Sequence, residues 1–122
     1  MNIEVFIEGI PYAQQKGRGD LNAPLRWTNA VVERTKDLPK IKGPCKMSVL
    51  FIFPEDKFPT DFPYGPDLDN CLKRLCDALG QTIFSDAQGA DSAIVDLRAS
   101  KRKASEGEQT GASVVIQQLD ID

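Results

Sequence analysis

The sequence predicts a single α+β domain: a mixed β-sheet with two main helices packed on one face. Apolar and polar residues alternate at strand period near the N-terminus, around residue 50 and twice after residue 93. A clear helical stripe and a weaker helical segment lie between these runs, which gives the order β-α-β-α-β-β. At 122 residues the chain fits one core, residues 1–122 forming one domain, and is too short for two.

The first strand is "NIEVFIEGI", with Ile3, Val5 and Ile7 on one face and Asn2, Glu4 and Glu8 on the other. Residues 11–26 carry Gly17, Gly19, Pro24, Lys16, Arg18 and Arg26 and read as a loop. A short helix follows, with Thr28 or Asn29 as N-cap, Ala30, Val31, Val32 and Leu38 as its apolar contacts, and Pro39 as its stop. "CKMSVLFIFP" reads as a strand with Val49, Phe51 and Phe53 on one face, and the proline-rich residues 54–66 as a loop. Leu68, Leu72, Leu75, Cys76 and Leu79 then form one continuous helical stripe that stops at Gly80. "IFSDAQGADS" reads as a loop, "AIVDLRASKR" as a strand, "KASEGEQTGA" as a hairpin turn and "SVVIQQLDI" as the last strand.

Composition removes several chemistries. The chain has no histidine, which excludes Ser-His-Asp and Cys-His catalysis, HExxH metal sites and any histidine base. Catalysis here must run on carboxylates, lysine or a metal held by oxygen. Cys45, Cys71 and Cys76 are odd in number and show no CxxC spacing, so buried reduced thiols are expected rather than disulfides or zinc. No apolar run approaches the ~20 residues that span a bilayer, and "MNIEVFIEGI" lacks a basic leader region, so a cytoplasmic protein without membrane contact is expected. A formal net charge of −3 counts against a non-specific nucleic-acid coat more than against an enzyme with a shaped site.

The chemistry concentrates in "GPDLDNCLKRLCDALG". Asp67 and Asp69 lie two apart in a segment that is extended before it coils, where side chains two apart point the same way. Asp69 and Lys73 are four apart and share a face once the helix begins. Two readings stand at this point. Aspartate is a preferred N-cap and favours the positive end of the helix dipole, so the acids can be structural. One acid suffices to cap, however, and a second near Glu55, Asp56 and Asp61 adds repulsion that a cation relieves. An EF-hand does not fit, because Cys71 and Leu72 occupy ligand and glycine positions. A hard divalent ion held by acids and acting on phosphate does fit. A third acid would come from Asp86 or Asp91, both before the next strand. Asp96 within that strand and Asp77 in mid-helix read as solvent-face or ion-pairing residues. Lys16, Arg18 and Arg26 in the first loop, and Arg98, Lys101, Arg102 and Lys103 at the end of the penultimate strand, are either plain surface charge or cations for a phosphate backbone.

These residues resemble a family. "PDLDNCLKRLCDAL" is similar to the P-D-[LI]-D-N-x-x-K-x-x-x-D-A-L core of the RusA-like Holliday-junction resolvases, and "IFSDAQGADSAIVDLRASKR" resembles their aromatic-x-D-D-[SA]-Q-[IV]-V-D-x-R-[VA]-x-K segment. "PYAQQKGRG" is weakly similar to a P-x-x-K-x-R element of the same family. The resemblance covers residues 66–103 well and the rest loosely. It implies a RusA-like fold and a metal-dependent endodeoxyribonuclease that works as a homodimer on four-way DNA junctions in recombination and repair, in bacteria and their prophages. It assigns metal binding to Asp67 and Asp69 and the lysine role to Lys73, with Mg²⁺, or Mn²⁺, as the ion. The family's acid pair is interrupted: Asp86 follows Phe84, but Ala87 stands where the second acid belongs, and a four-residue insertion, "AQGA", brings Asp91 to the offset set by "IVDLRASK". Asp91 is therefore expected as the third ligand, with Asp86 as the alternative. Lys16, Arg18, Arg74, Arg98, Lys101 and Arg102 are expected to face DNA. Two other readings remain, a different metal-dependent phosphohydrolase and a non-catalytic junction-binding module.

Overall fold

The computed structural model describes residues 2–12, 22–54, 67–87 and 89–119, residues 90 and 91 in their backbone only. Six main elements run in the order β1 (Asn2–Glu8), α1 (Ala23–Thr35), β2 (Cys45–Phe53), α2 (Leu68–Leu79), β3 (Ile94–Lys103) and β4 (Gly111–Gln118), with a 3-10 turn at Ala90–Ala93 before β3. The strands form one mixed sheet in the spatial order β1-β4-β2-β3. β4 is antiparallel to both neighbours, whereas β2 and β3 are parallel. A parallel pair requires a crossover, and α2 supplies it.

One face of the sheet is dry. Ile3, Val5, Ile7, Met47, Val49, Phe51, Ala112, Val114 and Ile116 are buried there in a single cluster with Trp27 and Val31 of α1 and with Cys71, Leu75, Cys76 and Leu79 of α2. Full burial of a leucine stabilises by about 1.5–3 kcal/mol, and Leu75 and Leu79 are both 0% exposed. The stripe read from the sequence is therefore what seats α2. All three cysteines are free and buried. Gly111 opens β4 at φ 151°, where a Cβ would collide with the carbonyl oxygen of Ile7, so the close approach of β4 to β1 needs glycine.

Two expectations are corrected. The first helix begins at Ala23, not after Thr28, and the loop reading of residues 11–26 thus fails over its last four positions. Pro24 falls in the first turn, where its missing N–H costs no helical bond, and it starts the helix rather than breaking it. Residues 104–110 are not a hairpin turn, because β3 and β4 do not pair. That segment passes the end of β2, where Ala104 N–H donates to Phe53 O at 2.8 Å, and β4 inserts between β1 and β2. Among the described residues no helix is long and apolar enough to cross a membrane.

Candidate metal and nucleic-acid site

α2 begins where the extended chain turns at Asp67, with φ −60° and ψ 132°. The Asp67 carbonyl accepts the first helical bond from Cys71 N–H at 2.9 Å. Its side chain does not cap: no side-chain cap bond forms, and Oδ2 only accepts a long bond from Asn70 Nδ2 at 3.3 Å. Asp69 follows in the first turn, and both acids are exposed. The capping reading of Asp67 is thereby removed, and both carboxylates point to solvent beside the positive end of a helix.

Below them lies Cys71, 0% exposed. Burial pushes its thiol up to about 12, and the charges of Lys101, Asp67 and Asp69 all act on it. Asp67 and Asp69 both belong to the start of α2. Lys101 is placed by register, opposite Phe51 on the helix-covered face. The arrangement sits towards the carboxyl ends of a parallel β-α-β unit, the place where open sheets with crossover helices bind ligands. Lys73 lies one turn after Asp69, exposed, and forms no ion pair with it among the described residues. Its ammonium is not neutralised within α2.

Arg74 points elsewhere. Its guanidinium lies 5.8 Å from the centroid of the Tyr12 ring, and Nη1 donates to Thr28 Oγ1 at 3.3 Å. Its Nε is buried without a partner. Arg74 thus joins α2 to α1 and to the chain leaving β1, a role the sequence reading missed because Tyr12 and Thr28 carry no pattern that marks them as its partners.

The remaining acids separate. Asp86 is exposed in a turn pinned to the chain that enters β2: Ile41 N–H donates to Ile83 O at 2.8 Å, and Lys40 Nζ to Thr82 O at 2.9 Å and Ser85 Oγ at 2.8 Å. Asp91 belongs to the 3-10 turn Ala90–Ala93, which packs against α2, and its side chain lies outside the described residues. Asp96 stands 3.9 Å from Lys46 Nζ on the face away from the helices. Among the described residues no group of three or more acids and cysteines is placed to hold a metal.

The cations also divide. Lys101 and Lys103 share the helix-covered face, opposite Phe51 and Phe53. Arg98 and Arg102 register with Ser48 and Ile52 on the other face. Arg102 makes a two-pronged ion pair with Glu108, Nη1 to Oε1 and Nη2 to Oε2, both at 2.6 Å. The hydrogen bond from Arg102, with another from Ser105 N–H, holds the Glu108 carboxyl down to about 2. Lys16 and Arg18 lie outside the described residues.

Two exposed carboxylates thus stand at the start of a crossover helix, with Lys73 one turn on, in a chain that has no histidine. A family model, that of the RusA endodeoxyribonucleases, matches residues 23–117, and the chain belongs to that family. No curated protein matches it.

Proposed function

We propose that this endodeoxyribonuclease resolves four-way DNA junctions inside the cell by paired, symmetric phosphodiester hydrolysis, with a divalent ion and as a homodimer. The observation that carries the metal reading is the state of Asp67: it occupies the cap position yet leaves its carboxylate off the backbone, beside the equally exposed Asp69. Hard oxygen donors of this kind suit Mg²⁺ or Mn²⁺. Asp67 and Asp69 would hold the ion, with Asp91 as the third ligand. Asp91 is preferred to Asp86 on the offset set by "IVDLRASK". When bound, the ion supplies Lewis-acid activation of phosphate and water.

The chain's own residues do the rest. Lys73, one turn from Asp69, offers an ammonium to the extra negative charge on phosphorus during in-line attack. Lys101, on the helix-covered face of β3 opposite Phe51, is proposed as a cation for the phosphate backbone. Arg74, Arg98 and Arg102 fit that role less well, since Arg74 is engaged by Tyr12 and Thr28, Arg102 by Glu108, and Arg98 lies on the opposite face. Lys16 and Arg18 remain proposed DNA contacts. A twofold dimer provides the two sites that two symmetric nicks require. The test is to incubate the protein with a synthetic four-way junction, with and without Mg²⁺. Paired nicks at symmetric positions are expected only with the ion; binding without nicking would leave a junction-binding module, and cleavage of nucleotides instead would leave a phosphohydrolase.

A further inference from the structure

The four residues "AQGA" between Asp86 and Asp91 leave and rejoin the fold at fixed points. Ala87 packs on the core and donates its N–H to Phe84 O at 3.1 Å. Ile94 packs on the same core and stands opposite Cys45 at the start of β3. Asp91 lies between these anchors, in the 3-10 turn Ala90–Ala93. A turn this short has poor hydrogen-bond geometry and a high cost of nucleation, so it does not hold itself. Whatever closes it sets where the backbone of Asp91 sits.

Gly89 and Ser92, on either side of Asp91, close it. The Gly89 carbonyl accepts from Ser92 N–H at 3.0 Å and again from Ser92 Oγ at 2.8 Å. Gly89 adopts φ 77°, in the left-handed region that side chains rarely enter. A Cβ on Gly89 would also collide with Ser92 Oγ, whereas the Cβ of Ser92 would lie at an ordinary 3.5 Å from it. The serine hydroxyl thus fills the space that glycine leaves open. The glycine and the serine form one lock, and neither half works without the other.

We propose that Gly89 and Ser92 are positioning residues: they hold the turn that carries Asp91 closed, and so set the affinity for a divalent ion without binding it. The inference rests on Asp91 as the third ligand in the functional reading above. Apparent affinity falls with the fraction of chains whose turn is closed. Both residues are exposed, and a short turn whose bonds lie open to water is marginal, so each bond lost lowers that fraction. Saturating ion restores closure. Loss of the lock therefore raises the half-saturating ion concentration while the maximal nicking rate is kept.

The experiment is Mn²⁺ binding to the full chain without DNA, read from the electron paramagnetic resonance signal of unbound Mn²⁺, with a urea midpoint for each variant. Asp91→Asn is the reference and should weaken binding. Ser92→Ala should weaken it about 3-fold, the worth of one exposed hydrogen bond, and Ser92→Thr, which keeps the hydroxyl, should bind as the parent does. Gly89→Ala should weaken it about 10-fold through the left-handed backbone and the lost bond. The double variant Gly89→Ala/Ser92→Ala should be no weaker than Gly89→Ala alone, because the collision disappears with the hydroxyl. Urea midpoints should stay near the parent's. Weak binding in Asp91→Asn with parent-like binding in the Gly89 and Ser92 variants overturns this inference and leaves the third ligand in place. Parent-like binding in Asp91→Asn overturns both. A Ser92→Thr variant as weak as Ser92→Ala, or weak binding that tracks a lowered urea midpoint, also overturns the inference.

Discussion

Replacement of Arg74 by methionine separates a structural arginine from a DNA-binding one. The change keeps the unbranched stem and removes the guanidinium. Three effects follow from the contacts. The bond to Thr28 is long at 3.3 Å, so its loss sits at the low end, about 1.5 kcal/mol, for hydrogen bonds involving a charged group. The Tyr12 ring centroid is 5.8 Å away, close to the outer limit for a cation–π contact, and its loss costs about 0.5 kcal/mol. Against these stands the buried, unpartnered Nε, whose removal returns about 1–3 kcal/mol. The net change is expected to lie within about 1 kcal/mol of zero, with a thioether left to pack on the Tyr12 ring. Urea unfolding measures the stability, and junction binding over a salt series measures the phosphate contacts. Unchanged stability with an unchanged salt slope is expected. A salt slope smaller by about one would mark a lost phosphate contact and refute the reasoning, as would destabilisation beyond about 2 kcal/mol.

Three other outcomes are expected. Asp69→Asn should abolish junction nicking while leaving junction affinity equal or tighter, and its urea midpoint should stay near the parent's; loss of folding instead would return the acids to a purely structural role. Asp91→Asn should lower the nicking rate more than Asp86→Asn, and the reverse order in single-turnover assays would refute the reading of "AQGA" as an insertion. Glu108, with its folded pKa lowered to about 2 from the usual 4.5, contributes stability above the unfolded value that is lost as pH falls from about 4.5 towards 2. An NMR titration of its carboxyl should give the low value in the parent and a clearly higher one when Arg102 is replaced by methionine, still below 4.5 because the Ser105 N–H bond remains, and a parent value near 4.5 would contradict the pairing.

The helices and strands that bury a periodic face were legible in the sequence. α2 was bounded closely because Leu68, Leu72, Leu75 and Leu79 lie on one stripe ended by Gly80. α1 was read short, because Pro24 looked like a breaker although in the first turn it is a starter. The order of the strands was not legible. The segment after Lys103 has the turn residues of a hairpin, yet Ala104 is held by Phe53 of β2 and β4 pairs elsewhere. Local turn chemistry carries no information about which strand lies next door. At the site, the place of Asp67 and Asp69 at the start of α2, with Lys73 one turn on, was legible from spacing. Whether Asp67 caps the helix was not, since that depends on a side-chain torsion. The division of Lys101 from Arg98 and Arg102 follows from strand alternation, but which face was dry became evident only once β3 was paired with β2.

Mn²⁺ titrated into the isotope-labelled protein, with amide line broadening followed residue by residue, addresses the metal claim most directly. Selective broadening is expected around Asp67 to Cys71 and in the turn carrying Asp91, and it should vanish in the Asp67→Asn/Asp69→Asn variant. Broadening confined to other acids, or none at millimolar ion, would mean that the start of α2 does not bind metal.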